Sequence, residues 1–409
     1  MIMRNFLFFC AVLTMFAACQ VMNDLDASAE LFETQDKQEQ KYVSGVALQD
    51  VIAVQESSHP SKSTLEVDEG GIGTIYWKPA DVINVFYGTA STRYVSKNTE
   101  NATTAVFKTT DVIGISESSS ENIWGLYPYD EDATCTGSSV NTTLPATQYG
   151  VSGSFDDDLF ITLAHNTSTA LVFYNVCGGI KFSLSRDDIT SITFQGNNDE
   201  FIAGDISLDF VDGVPRASVT NGQKVVTVTP KSGETFAAGE DYYIVLLPNT
   251  LTEGFTMTFT TTMSAVGTFN YTEKAVTIKR SVFGKKANID TYAELPPPNN
   301  QIWYTTTNGQ VITLNYAQEN SFLNGKTNVS IVSNTYSAGR GILTFDDDIT
   351  IIQKHAFRFC SNLATMILPE SVTELGVPFV FGTCRALHDI RLPSGLSSIG
   401  TRCFFIMML

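Results

Sequence analysis

From about residue 50 to residue 292, apolar and polar positions alternate with a period of two. In Phe255–Thr262, FTMTFTTT, the side chains of Phe255, Met257 and Phe259 fall on one face and threonines on the other. KVVTVTP, Lys224–Pro230, places Val226 and Val228 in the same way and closes on a proline. DVINVFYG and DYYIVLLP are β-branched and aromatic runs ended by Gly or Pro, and turn clusters such as QGNND, VDGVP, TNGQ and KSGE separate the runs. Strict alternation over short stretches bounded by turn residues predicts half-buried strands, and strands at this spacing predict β-sandwiches. About 240 residues suffice for two such sandwiches.

Beyond residue 292 the pattern changes. AELPPPNNQ, residues 293–301, carries three consecutive prolines that hold the chain extended, so 293–300 reads as a linker. Further on, LATMILPESVTELG (Leu363–Gly376) is answered by LHDIRLPSGLSSIG (Leu387–Gly400), position for position, 24 residues later. Aligned on its cysteines, one unit runs Ile352, Ala356-Phe357, Cys360, Leu363, Leu368-Pro369. The next gives Leu375, Val380-Phe381, Cys384, Leu387, Leu392-Pro393, and a third begins with Ile399-Gly400 and Cys403-Phe404. A fixed apolar period of this size predicts stacked coils, each burying what its neighbour cannot. The expected repeat core is Ile352, Phe357, Cys360, Leu363, Leu368, Leu375, Phe381, Cys384, Leu387, Leu392, Ile399 and Phe404. Cys360 and Cys384 then act as small buried hydrophobes and not as metal ligands. About two and a half copies are present, where three or more are usual. Ile406, Met407, Met408 and Leu409 are the reverse of a polar cap, so the expectation is an array cut short, with a frayed, adhesive C-terminus.

The first residues bear on destination. MIMRNFLFFCAVLTMFAAC has one positive charge, Arg4, then an apolar run from Phe6 to Ala18, too short for the roughly 20 residues of a membrane span. Residues 1–18 read as a signal peptide. Phe-Ala-Ala-Cys at 16–19 resembles a bacterial lipobox, which implies a diacylglycerol on Cys19; the competing reading is an ordinary signal with a coincidental cysteine. Residues 19–50 are polar and acidic, as a tether from an outer-membrane lipid anchor would be, and Asp24 and Asp26 favour export to the outer face.

Composition narrows the function. The net charge is −18 and no Lys/Arg cluster interrupts it, which argues against a nucleic-acid partner. Of seven cysteines, Cys10 and Cys19 belong to the N-terminal segment, and the other five show no CxxC or His-rich spacing. Cys135 and Cys177 could pair in an oxidising compartment, although sequence does not place their Cβ atoms. The runs Asp156–Asp158 and Asp346–Asp348 lack the alternating oxygens, Gly turn and distal Glu of a calcium loop, and read as solvated turns. YDEDATCTG, residues 129–137, is a better candidate loop. His59, His165, His355 and His388 sit in no HExxH motif, and no GxSxG, P-loop or dinucleotide fingerprint occurs. His355 and His388 are expected to face outward. No catalytic, cofactor or metal site is expected.

Seven motifs in order resemble the fimbrillin-like family of Bacteroidales surface proteins. They are WKPADVINVF with Trp77, Asp81, Ile83 and Val85; LYPY at 126–129; LPATQ at 144–148; FYNVCGGIKFSL at 173–184; ITSITFQGNNDEFIAGD at 189–205; YYIVLLP at 242–248; and KRSVFGKKANID at 279–290. Ala80 departs from the glycine usual before the aspartate. The resemblance implies a mainly β protein of two tandem transthyretin-like β-sandwiches, here 51–170 and 171–292, exported as a lipoprotein. Some members of that family are pilins that polymerise by strand donation after an arginine protease removes the first strand. Between Cys19 and Arg93 only Lys37, Lys41, Lys62 and Lys78 occur, so such maturation upstream of Trp77 is not expected. Residues 301–409 resemble the BspA-type leucine-rich repeat family of bacterial surface antigens, a short solenoid. Ala386, in the place Asn362 holds one unit earlier, and FIMML after Phe404 depart from its pattern.

Together these features imply a non-enzymatic cell-surface lipoprotein, lipid-anchored in the outer membrane and facing the exterior. Its sandwiches would be a stalk presenting the repeats, as an adhesin, to a protein or cell-surface ligand. One alternative is a fimbrial tip or accessory subunit that joins other fimbrial subunits by donor-strand exchange. Another is a glycan-capture lipoprotein using Trp77, Trp124 and Trp303 as stacking platforms, although Trp77 and Trp124 suit core positions better.

Overall fold

The computed structural model describes residues 50–55, 65–67, 73–109 and 122–405. The signal peptide, Cys19 with nearly all of the expected tether, and Ile406–Leu409 lie outside the described residues. The described chain is mainly β, with one short 3-10 turn at Ile289–Tyr292.

The first β body is a closed ring in the order Val51–Gln55, Ala170–Asn175, Thr162–Asn166, Ile123–Tyr127, Val82–Tyr87, Ala90–Ser96, Thr104–Lys108. It closes because Val51–Gln55 pairs in parallel with Ala170–Asn175 and antiparallel with Thr104–Lys108. A closed ring has no exposed strand edge. Trp77, fully buried, packs edge-on against Phe107, Tyr127 and Phe173 at 5.0, 5.3 and 5.2 Å.

The second body contains a six-stranded sheet, a three-stranded sheet (Asp241–Leu246, Gly178–Ser183, Phe283–Lys286) and a four-stranded sheet, with Phe182, Phe194, Ile206 and Phe259 in one core. The two bodies do not divide at 170/171 as the sequence suggests, because the strand Ala170–Asn175 spans that position. Moreover, Val140–Leu144 pairs with Ala203–Val211, and Thr147–Val151 pairs with Val225–Pro230. Residues 134–155 therefore belong with the second body, and the chain then returns to complete the first. Alternation specifies which face of a strand is buried but not which distant strand lies beside it. Gln148 shows what holds the excursion in place. Its buried Nε2 donates to the Val245 carbonyl at 2.7 Å, and its Oε1 accepts from the Val245 N–H at 3.0 Å.

Cys135 and Cys177 are separate, buried thiols, and burial pushes Cys177 up to about 12. Asp156 also departs from the solvated-turn reading. It is 5 % exposed and meets the Lys231 ammonium at 2.5 Å, while Asp157 pairs with Lys78 at 2.7 Å.

The linker is not a free spacer. Leu295, Pro296, Pro297 and Pro298 are buried. The buried Arg186 donates Nε and Nη2 to the two oxygens of Asp188 at 2.5 and 2.6 Å, and Nη1 to the Pro296 carbonyl at 2.5 Å. On the far side the Asn300 and Asn299 carbonyls accept from the N–H groups of Phe345 and Ile349, both at 2.9 Å. Sequence indicates an extended conformation but not the surfaces that cover it.

Candidate functional site

The repeat coils stack in register. Ile352 lies beside Leu375 and Leu375 beside Ile399 in one parallel ladder; Thr365, Met366 and Ile367 lie beside Asp389, Ile390 and Arg391 in another. Between the two sheets Phe357, Phe381 and Phe404 form a column with successive ring centres 5.3 and 5.2 Å apart. The Cys384 thiol donates to the Phe357 carbonyl at 2.9 Å, one coil back, and Cys360 donates to Thr313 at 3.5 Å. Burial pushes Cys360, Cys384 and Cys403 each up to about 12, so all three stay protonated.

Of the twelve positions assigned to the repeat core, Ile352, Phe357, Cys360, Leu363, Leu368, Leu375, Phe381, Cys384 and Leu387 are buried. Leu392 and Phe404 are half-buried against the same core. Ile399 departs from the expectation at 51 % exposed, because no described coil lies over the last strand.

The other face of the first coil is covered by residues the repeat pattern does not include. Gln301–Thr306 pairs antiparallel with Leu363–Ile367 and with Arg340–Phe345, which pairs in turn with Ile331–Ser337. Ile302, Tyr304, Leu343 and Phe345 enter the core that holds Leu363 and Met366. The result is a single five-stranded sheet, three strands from the cap and two from the coils.

Across the outer face of this sheet runs a row defined by the register: Thr335, Ile342, Trp303, Ile367, Arg391. Trp303, Ile342 and Ile367 are half-buried, while Arg391 is exposed. The indole Nε1–H donates to Gln301 Oε1 at 3.0 Å, and the Arg340 guanidinium lies 4.3 Å from the ring centre. Beside the row the Thr305 and Thr365 hydroxyls share a hydrogen bond of 2.7 Å. Among the described residues neither Arg340 nor Arg391 has a carboxylate within 4.0 Å; the seven ion pairs all lie in the two β bodies. The face thus presents an apolar centre flanked by two arginines. Periodicity finds Ile367 and Arg391 as outward positions, but the repeat spacing that begins at Ile352 does not reach Trp303, Ile342 or Arg340.

The remaining sequence candidates are placed apart. His388 is exposed; His355 is half-buried, its ring stacked on Phe379 at 6.1 Å, and burial with nearby Arg358 and Lys354 lowers its pKa. His165 lies on Trp124 at 4.2 Å, its Nε2 3.0 Å from Asn122 Oδ1. Trp77 and Trp124 are 0 and 3 % exposed, which removes both as platforms. The 129–137 loop borders a cleft of about 490 Å³ with Thr142 and Asp158, where Asp130 already accepts from the Thr142 hydroxyl and the Asp132 N–H at 2.7 and 2.9 Å. Asp346 accepts from the Ser330 N–H at 2.7 Å, and Asp348, raised by burial, from Asn299 at 3.3 Å. Among the described residues no three His, Cys, Asp or Glu side chains converge as a metal would need.

The model of the family described as BspA type Leucine rich repeat region (6 copies) matches residues 314–408. The C-terminal segment is a BspA-type leucine-rich repeat region. In it the cap strand Gln301–Thr306 lies ahead of the matched residues yet completes the BspA-type repeat sheet. No curated protein matches the chain. Among solved structures, a candidate cell adhesion protein from Bacteroides ovatus ATCC 8483 is similar at 11 % identity and a TM-score of 0.36, over 61 % of this chain and 96 % of that one. A fimbrial protein from the same strain is similar at 10 % identity and a TM-score of 0.28, over 72 % of this chain and 57 % of that one.

Proposed function

We propose that this protein is a non-enzymatic surface lipoprotein that acts as an adhesin. Cys19 carries the lipid anchor in the outer membrane, the two β bodies form the stalk, and the outer face of the repeat sheet contacts a protein on another cell or in a matrix. The observation that carries this reading is the row from Thr335 to Arg391, with Trp303 at its centre. Protein contacts concentrate their energy in Trp, Tyr and Arg set in an apolar centre, as Trp303, Arg340 and Arg391 are here. The Arg186–Pro296 tie supports a fixed presentation of that face.

Against the fimbrial tip weighs the first ring. Val51–Gln55 is paired along both edges within its own chain, so the ring offers no groove for a donated strand. Against glycan stacking on Trp303 weighs its half-buried ring, whose remaining surface the Arg340 guanidinium approaches to 4.3 Å.

The test is protease shaving of intact cells carrying a tag after Leu409, beside a Cys19→Ala control, followed by adherence to a matrix-coated surface. Loss of the tag from intact cells, a soluble control, and at least tenfold weaker adherence of the Ile367→Asp variant are expected. A tag that survives until the outer membrane is broken ends the adhesin reading.

A further inference from the structure

A second surface lies on the loops that join the two repeat sheets. Tyr316, Phe359 and Phe405 are 47, 44 and 46 % exposed there, an unusual concentration of solvent-facing rings. The Arg358 guanidinium carbon stands 5.6, 4.9 and 5.1 Å from the ring centres of Tyr316, Phe359 and Phe379. Tyr316 and Phe359 are in ring contact at 5.0 Å, and Phe379 meets Phe405 at 5.3 Å.

Phe359 and Phe379 have φ of 63° and 61°, a left-handed turn that recurs at His355, Thr383 and Arg402 in equivalent places of neighbouring coils and so belongs to the coil geometry. One coil on from Arg358 stands Gly382. A Cβ there would lie 2.8 Å from Phe379 Cβ, so the glycine allows the close approach of Phe379, while Arg358 Cγ would stand at an ordinary contact distance of 3.4 Å. Among the described residues no carboxylate lies within 4.0 Å of Arg358 and no acceptor takes its guanidinium hydrogens; three aromatic rings lie against it, and His355 is near enough to feel its charge. Guanidinium N–H groups point outward in the plane of the group, and rings that cover its faces leave that edge free.

Charge points the same way. Residues 351–405 hold Lys354, Arg358, Arg385, Arg391 and Arg402 against Glu370, Glu374 and Asp389, five cations to three carboxylates, in a chain of net charge −18. One of the three, Glu370, is already bound to the N–H and hydroxyl of Ser394 at 2.8 Å. The coils carry a net positive charge within an acidic protein.

We propose that Arg358 and its rings bind a carboxylated saccharide, a sialyl or uronyl residue. The fork of one guanidinium matches one carboxylate in a bidentate pair. The exposed rings of Tyr316 and Phe359 offer dispersion and C–H contacts to the apolar face of a pyranose. A peptide is the poorer fit because the backbone here is spent between coils. The N–H groups of Phe357, Phe359, Phe381 and Thr383 donate to Val380, Gly382, Cys403 and Phe405 at 2.8–3.0 Å, which leaves them unavailable to an incoming strand. The site is separate from the Trp303 face, and either can fail without the other.

The test is calorimetric titration of the full chain, as its soluble Cys19→Ala form, with 3′-sialyllactose, digalacturonate, lactose and a glutamate hexapeptide. At least one of the two acidic sugars binds ten or more times more tightly than lactose and the peptide. Arg358→Gln lowers that affinity at least tenfold, Arg358→Lys by an intermediate factor because the charge remains without the fork, and Arg216→Gln, at an exposed ion pair of the second body, leaves it unchanged. Should Arg358→Gln not fold, Arg358→Lys and Phe359→Ala, which also weakens binding, carry the test. Equal binding of lactose, equal or tighter binding of the peptide, no binding of either acidic sugar, or indifference to Arg358 overturns the proposal.

Discussion

Phe381 lies on Phe357 with ring centres 5.3 Å apart and planes 4° apart. On its other side Phe404 continues the column at 5.2 Å and 8°. One side chain therefore joins three successive coils, and the cost of losing it is not confined to its own coil.

Phe381→Ala should destabilise the repeat region by about 3–5 kcal/mol, the usual range for deleting a buried aromatic. Hydrogen exchange of peptides from 351–405 measures this directly. Peptides from the first ring, 82–96, should keep their protection; protection retained in both would show that the column is ornamental.

The three buried thiols make the coils sensitive to alkali. Cys360, Cys384 and Cys403 rise from an ordinary 9.0 to about 12 on folding. A folded-state pKa above the unfolded one means that the folded chain keeps protons the unfolded chain loses. Their contribution is fully present below pH 9 and is lost as the pH climbs towards 12. Protection of 351–405 should fall between about pH 9 and about pH 12, and the fall should be shallower in the Cys360→Ala, Cys384→Ala double variant. An equal slope in both chains would assign the alkaline loss to other groups.

Arg186 is the tie between the second body and the linker. Arg186→Gln leaves Asp188, 13 % exposed, without its partner and the Pro296 carbonyl without its donor. The expected loss is about 3–5 kcal/mol, together with faster cleavage by a prolyl endopeptidase within 293–300. Arg186→Lys should not restore the wild-type value, because an ammonium cannot span both Asp188 oxygens and the carbonyl. Full rescue by lysine would reduce the contact to simple charge.

Gln148→Leu orphans both the N–H and the carbonyl of Val245. Each orphaned group costs roughly 1–3 kcal/mol in a buried setting. Urea denaturation should show the loss, with the amides of Thr147–Val151 and Asp241–Leu246 exchanging first. Unchanged exchange in both strands would mean that the clamp is redundant with the sheet.

What was legible in the sequence is what depends on neighbours along the chain. Alternation in Phe255–Thr261 and Val225–Pro230 marks strands, and a spacing of 23 to 24 residues sets Ile352, Leu375 and Ile399 in one ladder, since periodicity records which face of an element is turned inward. The cysteines fall in the core by the same logic, small apolar groups at a fixed place in each coil. Contacts between residues far apart in the chain leave no such trace. Gln148 reaches Val245 across 97 residues, Arg186 reaches Pro296 across 110, and Trp303 takes its place between Ile342 and Ile367 through strand pairing alone. Each of these is decided by which surfaces meet when the chain closes on itself. The sequence by itself determined that the chain makes strands and then coils. Only the tertiary structure decided that residues 134–155 cross to the second body, that the strand Gln301–Thr306 completes the first coil, and that Arg358 stands among three rings without an acid partner among the described residues.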